Sequence, residues 1–122
     1  MTMSYRIALA SSDGVHIDRH FGASDGFLIV EVTQDGSFWE VERRQVKAPC
    51  QHGYHDNGAM LEAVQALSDC RYVVAEAIGP GAQKALERQD ILPLEIDGQT
   101  VETAVPKIHD YEVKKQQASV AY

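Results

Sequence analysis

Three short apolar segments near the start of the chain constrain its fold most. Residues 5–10, 27–32 and 38–43 are mostly apolar and too short for helices, so each predicts a β-strand. Asp35-Gly36 stands between the second and third segments and is typical of a tight hairpin turn. The third segment alternates apolar and charged side chains, which favours the edge of a sheet. Together they predict an antiparallel meander.

The middle of the chain alternates between helical and strand patterns. Met60, Val64 and Leu67 recur at helical spacing. Residues 71–75 form a short apolar run that is typical of a buried parallel strand. We expect the next helix to begin at Pro80, because proline suits the first helical position.

The last predicted strand and the last predicted helix each contain a proline. Residues 91–94 predict an edge strand, because Pro93 has no N–H to donate to a sheet. Residues 101–108 carry apolar side chains at helical spacing and predict a final helix, which we expect Pro106 to kink or shorten. The remaining chain is polar, and we expect it to fray from about residue 112.

The predicted element order, β-β-β-α-β-α-β-α, is that of the ribonuclease H-like class. This is a three-layer α/β fold with a five-stranded mixed sheet and helices on both faces. We expect the first strand at the centre of the sheet, beside the strand of residues 71–75. The length fits a single cofactor-binding domain spanning residues 1–122.

The composition narrows the classes of partner. Eleven basic and eighteen acidic residues give a net charge of −7, which opposes nucleic-acid binding. No apolar run approaches the roughly 18 residues of a membrane span, and the N-terminus lacks the apolar region of a signal peptide. We therefore expect a cytoplasmic protein with no membrane or nucleic-acid partner, whose Cys50 and Cys70 are reduced, the latter packed in the core.

Residues 11–22 form a polar loop longer than a hairpin needs, and such loops often carry function. His16 and His20 offer imidazole nitrogens to a metal, and Arg19 can balance an anion. The loop follows the first strand, at the carboxyl end where α/β sheets bind ligands.

A second loop, Gly79-Pro80-Gly81, follows the strand of residues 71–75. If the two strands are neighbours, the two loops meet at one edge of the sheet. Gly79, Gly81 and Ala82 would then present the start of a helix to an anion that His20 contacts.

Cys50, His52 and His55 lie within six residues and offer one thiol and two imidazoles. These are suitable ligands for zinc, copper or iron–sulfur species, although a structural zinc site normally has a fourth ligand at recognisable spacing. A simple zinc- or copper-binding protein is therefore an alternative interpretation.

Asp13 and Glu76 support a third interpretation, because each follows a strand that we expect at the centre of the sheet. Paired carboxylates chelate Mg²⁺ in two-metal nucleases. The acidic composition and the lack of a clear third or fourth carboxylate make a divalent-metal nuclease the least favoured interpretation.

Several blocks of the sequence resemble the dinitrogenase iron–molybdenum cofactor-binding family, of the NifX, NafY-core and NifB C-terminal type. The resemblance covers nearly the whole chain and rests on the order and spacing of its blocks. They are residues 7–14, His20-Phe21-Gly22, Phe27, Cys50, Asp69-Cys70, residues 78–82, Leu86 and residues 91–93.

The resemblance implies a ribonuclease H-like fold without nuclease activity. It also implies a protein that is not an enzyme and that binds, carries or stores an iron–molybdenum cofactor or a related iron–sulfur cluster during cofactor assembly. His20, in the His-Phe-Gly block, is the expected cluster contact. Cluster-donor and acceptor proteins are the expected partners, and only Cys50 of the Cys50, His52 and His55 group matches the family pattern comfortably.

Overall fold

The computed structural model describes residues 4–49 and 57–120. Its strands form one five-stranded sheet, flanked by three α-helices, none of which is long and apolar enough to cross a membrane. The strands are β1 (Ser4–Ala10), β2 (Gly26–Thr33), β3 (Phe38–Gln45), β4 (Tyr72–Ala75) and β5 (Leu92–Glu95). The helices are α1 (Asn57–Ala66), α2 (Pro80–Arg88) and α3 (Val101–Val120).

The strand order is β3-β2-β1-β4-β5, with β1 at the centre. β1 and β2 are antiparallel, as are β2 and β3, whereas β1, β4 and β5 are parallel neighbours. The turn between β2 and β3 depends on Gly36, whose φ of 90° is strained for other residues. The predicted meander, the mixed sheet and the adjacency of β1 and β4 are all confirmed.

The sheet has a helical layer on each face. Phe27, Ile29 and Val73 lie in one core with Val64 of α1 and Leu86 of α2. The opposite face has its own core: Ile7, Leu9, Val30, Tyr72 and Val74 of the sheet cluster with Val101, Ala104, Val105 and Ile108 of α3. The three-layer arrangement that the element order predicts is therefore confirmed.

The last helix differs from the sequence-based expectation. Pro106 does not shorten α3, and the tail that we expected to fray from about residue 112 is instead helical to Val120. The second half of the helix is attached to the sheet by Glu112, which is buried and accepts hydrogen bonds from Tyr72 and Arg71. Such tertiary contacts outweigh the local cost of one proline near the helix start.

Candidate functional site

The loop of residues 11–22 returns to the sheet beyond the carboxyl end of β1. The N–H of Phe21 donates to Ala77 O at 2.8 Å, and the N–H of Glu76 donates to Arg19 O at 2.9 Å. His20 thereby pairs with Ala77 in an isolated parallel bridge, beyond the last paired residues of β1 and β4. The predicted meeting of the first loop with the segment after β4 is confirmed.

The first half of the loop is held by its own polar side chains. Asp13 accepts hydrogen bonds from the N–H groups of Val15 and His16, both at 2.8 Å, and contacts His16 Nδ1 at 2.7 Å. The His16 imidazole, followed by these two N–H groups, holds the pKa of Asp13 well below its usual range. Arg43 donates to Ser11 O at 2.8 Å, which ties the loop to β3. His20 is thus carried by a loop with a defined backbone.

An open cleft of about 410 Å³ lies where the loop meets the start of α2. The His20 side chain is 64% exposed there. Gly79 is the N-cap of α2 and has no side chain, and a Cβ built on it would meet nothing within 4 Å. Pro80 follows at the first helical position and has no N–H. The cleft is lined by His20, Gly22, Ala23, Ala77, Ile78, Gly79 and Glu95.

Two carboxylates border this cleft. Glu76 Oε1 lies 3.3 Å from His20 Nε2, and Glu95 Oε2 accepts a hydrogen bond from the Ile78 N–H at 2.7 Å. No lysine or arginine is among the lining residues. From the residues that the structure describes, the cleft therefore offers the accessible imidazole of His20 and a glycine-lined helix start, with acidic groups at its border.

Only part of the predicted set of site residues lines the cleft. His20 and Gly79 do, but Arg19, His16, Gly81 and Ala82 do not. The backbone of His16 pairs with Thr100, just before α3, and the side chain of Ala82 is buried in the core. Cys50, His52 and His55 lie outside the described residues, so their role as metal ligands stays a prediction.

The remaining candidates do not form a metal site in the described part of the chain. Asp13 contacts His16 and Glu76 contacts His20, so each carboxylate already has a partner of its own. Cys70 is a buried free thiol, as expected, and burial raises its pKa to about 12. In the described ranges 4–49 and 57–120, no three His, Cys, Asp or Glu side chains are grouped to hold a metal ion.

Glu76 as the partner of His20 and Glu95 as a lining residue were not anticipated. Glu95 ends β5, the parallel neighbour of β4, so both acids lie at the carboxyl edge of the parallel strands. Extending the same edge rule to β5 would have found Glu95, whereas the pairing of Glu76 with His20 depends on the path of the loop.

Comparison with known proteins identifies the family. The profile of the family described as "Dinitrogenase iron-molybdenum cofactor" matches residues 3–111. The chain belongs to this family. The resemblance seen in the sequence is thereby confirmed.

The chain is also similar to two curated proteins. The FeMo cofactor biosynthesis protein NifB of Herbaspirillum seropedicae is 31% identical over 93 residues, which cover 76% of this chain and 18% of NifB. Protein NifX of Rhodobacter capsulatus is 32% identical over 94 residues, which cover 73% of this chain and 57% of NifX. The chain therefore spans about a fifth of that NifB and little more than half of that NifX.

A solved structure supports the same fold. The apo form of the orange protein from Desulfovibrio gigas superposes with a TM-score of 0.59 and 24% identity, over 90% of this chain and 91% of the orange protein. At this level of identity, the likeness shows the fold alone.

Proposed function

We propose that this protein binds and carries an iron–molybdenum or related iron–sulfur cluster during cofactor assembly, and that the cleft at His20 is the binding site. Family membership supports the class of cargo, and NifB, a relative, is by name a FeMo cofactor biosynthesis protein. The observation that carries the proposal is the bridge between His20 and Ala77. It sets an exposed imidazole beside the open start of α2.

The chemistry of the cleft suits a preassembled cluster better than a bare ion. Bridging sulfides fill part of the coordination of each iron in a cluster, so each iron takes fewer ligands from the protein than a structural zinc ion, which usually takes four. His20 supplies one nitrogen ligand, and the positive end of the α2 dipole, which begins beside Gly79, favours an anion. Arg19 and His16 lie on the same loop, and Cys50, His52 and His55 are additional ligand candidates.

The acidic border of the cleft is consistent with temporary binding. Glu76 competes for His20, and Glu95 adds negative charge beside an anionic cargo. A binding site in which carboxylates lie beside the His20 imidazole should hold a cluster loosely enough to pass it on. We therefore propose a carrier and not an enzyme, working with cluster-donor and acceptor proteins.

Anaerobic reconstitution tests this function. The protein is incubated with iron and sulfide, with and without molybdate, and then analysed by visible absorption and metal counting. We expect His20→Ala to weaken cluster binding about tenfold or more, because a metal–imidazole bond is lost.

His16→Ala is the matched control, because His16 is also exposed and on the same loop but does not line the cleft. Its effect should be much smaller. Full binding by His20→Ala, with binding lost in Cys50→Ala, would move the site to the Cys50 segment. Stoichiometric zinc in place of iron would support the metal-ion alternative.

A further inference from the structure

A second concave site lies on the α3 face of the sheet, away from the residues that line the His20 cleft. It is a groove of about 250 Å³ between β2, β3 and the start of α3. Leu28 and Val30 of β2 form its floor and are almost fully buried. Phe38 and Val101 lie on its two sides, and Val15 lies at its mouth with 52% of its surface exposed.

The rim of this groove carries negative charge. Glu40 of β3 and Glu102 of α3 both line it and are both exposed. Within residues 4–49 and 57–120, neither carboxylate has an ion-pair partner, and no lysine or arginine lines the groove. This contrasts with Glu31, Glu42, Asp69 and Glu112, each of which is paired with an arginine.

The groove is also preorganised. The Val101 N–H donates to Val15 O at 2.8 Å, and the Val15 N–H donates to Asp13 at 2.8 Å, so the mouth residue has a fixed backbone. Thr100 and Thr103 hydrogen-bond each other at the start of α3. An occupant would therefore meet a surface that needs little ordering, which favours binding.

From this geometry we infer that the groove is a docking site for a partner protein. The docking segment is one with an apolar side chain flanked by lysine or arginine. The apolar floor matches the apolar side chain, and the two unpaired carboxylates match the flanking cations. The volume supports a side-chain anchor, because pockets for whole small ligands usually measure about 300–1,000 Å³. The inference does not depend on the function of His20.

The inference is tested by NMR titration of the full chain with a short synthetic peptide. The probe is acetylated and amidated and has leucine and phenylalanine between two lysines. Amide shifts should concentrate at Gly14, Val15, residues 38–40 and residues 100–102. The same peptide with glutamates in place of its lysines should not bind.

Variants separate the charge contribution from the apolar one. Glu40→Gln combined with Glu102→Gln should weaken peptide binding about two- to thirtyfold, the range for two exposed ion pairs. Val15→Ser should weaken it about fivefold, because half-burial of one valine is lost. Leu61→Ser and Glu62→Gln on α1 are matched controls, since these residues are also exposed, and they should leave binding unchanged.

Four results with the peptide would overturn the inference. In the titration, these are no amide shift up to millimolar peptide, equal binding of the glutamate peptide, and amide shifts centred on α1. In the variants, it is an unchanged affinity of Glu40→Gln combined with Glu102→Gln. Groove shifts on dilution of the protein alone would assign the groove to a second copy of this chain. Equal binding of hexylamine would assign it to a small amphiphilic amine.

Discussion

A histidine and a glutamate lie at each end of strands β1 and β4. The pair at the carboxyl ends is exposed or partly exposed, whereas the pair at the amino ends packs α3 against the sheet. At the carboxyl ends, the His20 side chain is exposed and lies 3.3 Å from Glu76. At the amino ends, His109 of α3 stacks on Tyr5, and its two ring nitrogens lie 3.0 Å from Tyr5 Oη and 3.1 Å from Gln34 O. Because a carbonyl can only accept, His109 Nε2 donates to Gln34 O, which leaves Nδ1 of a neutral ring to accept from the Tyr5 hydroxyl.

The glutamates differ in the same sense. Glu76 is partly exposed, whereas Glu112 is buried and accepts hydrogen bonds from Tyr72, Arg71 and Gln116. The amino end thus uses its polar groups to attach α3 to the sheet. The carboxyl end leaves an imidazole accessible. One sheet therefore separates a stabilising end from an end available for binding.

The largest expected effect is on the stabilising end. Glu112→Ala removes the acceptor of the fully buried Tyr72 hydroxyl and should lower the free energy of unfolding by about 2–3 kcal/mol. Asp110→Ala, exposed on the same helix, should change it by no more than about 0.5 kcal/mol. Urea unfolding measures both, and equal losses would show that Glu112 has no special role.

The next largest expected effect is the difference in the free energy of unfolding between variants of the two histidines. His109→Ala removes two hydrogen bonds and a ring stack, and should lower the free energy of unfolding by about 1–2 kcal/mol without affecting cluster binding. His20→Ala should stay within about 0.5 kcal/mol of wild type. A destabilised His20→Ala with a stable His109→Ala would reverse the assignment of the two ends.

The acid dependence of stability should also come partly from Glu112. Burial alone would raise its pKa, but hydrogen bonds from Tyr72 and Gln116 and the charge of Arg71 outweigh burial and lower the pKa. The unfolded chain therefore binds this proton more readily, so the stabilisation is complete above the unfolded pKa of about 4.3 and is lost as the pH falls through the folded value.

Glu112→Gln should make the free energy of unfolding fall less steeply as the pH is lowered. The part of the acid-induced loss that it removes should be smaller than the loss of stability caused by Glu112→Ala. Urea unfolding at pH 7 and at successively lower pH measures it, with Asp110→Asn as the exposed control. An acid dependence in Glu112→Gln as steep as in wild type would assign the loss to other carboxylates, such as Asp69, whose pKa is also lowered.

The smallest expected effect on stability is at the binding end. Gly79→Ala should change the free energy of unfolding by only about 0.5 kcal/mol, because its Cβ meets nothing within 4 Å. The methyl group would enter the cleft and should weaken cluster binding. Gly98→Ala is the contrasting control. A Cβ at Gly98 would also meet nothing within 4 Å, but the φ of 71° is strained for alanine, so this variant should lower the free energy of unfolding by about 1 kcal/mol. Unchanged cluster binding in Gly79→Ala would place the cargo away from α2.

Much of the fold could be predicted because its signals are local. The run of residues 27–32, the Asp35-Gly36 turn and the Gly79-Pro80 helix start all act through neighbouring residues, and the structure has each of them. Loop length and the carboxyl-end rule predicted His20 and Gly79, which line the cleft, and their role in binding stays a prediction. Glu95 was missed because the carboxyl-edge rule was not extended to the end of β5. The pairing of Glu76 with His20 could not be predicted, because it depends on the path of the loop between distant residues.

The sequence by itself determined which segments become strands and helices, and that a long polar loop with two histidines follows the first strand. Only the tertiary structure decided what those histidines can do. The pairing of His20 with Ala77 exposes one imidazole at the cleft, while that of His16 with Thr100 turns the other half of the loop toward α3. It also decided that α3 continues past Pro106, because Glu112 reaches Tyr72 of β4 only when the helix is packed on the sheet. Local patterns set secondary structure through backbone geometry, whereas accessibility and charge pairing arise from contacts between distant residues.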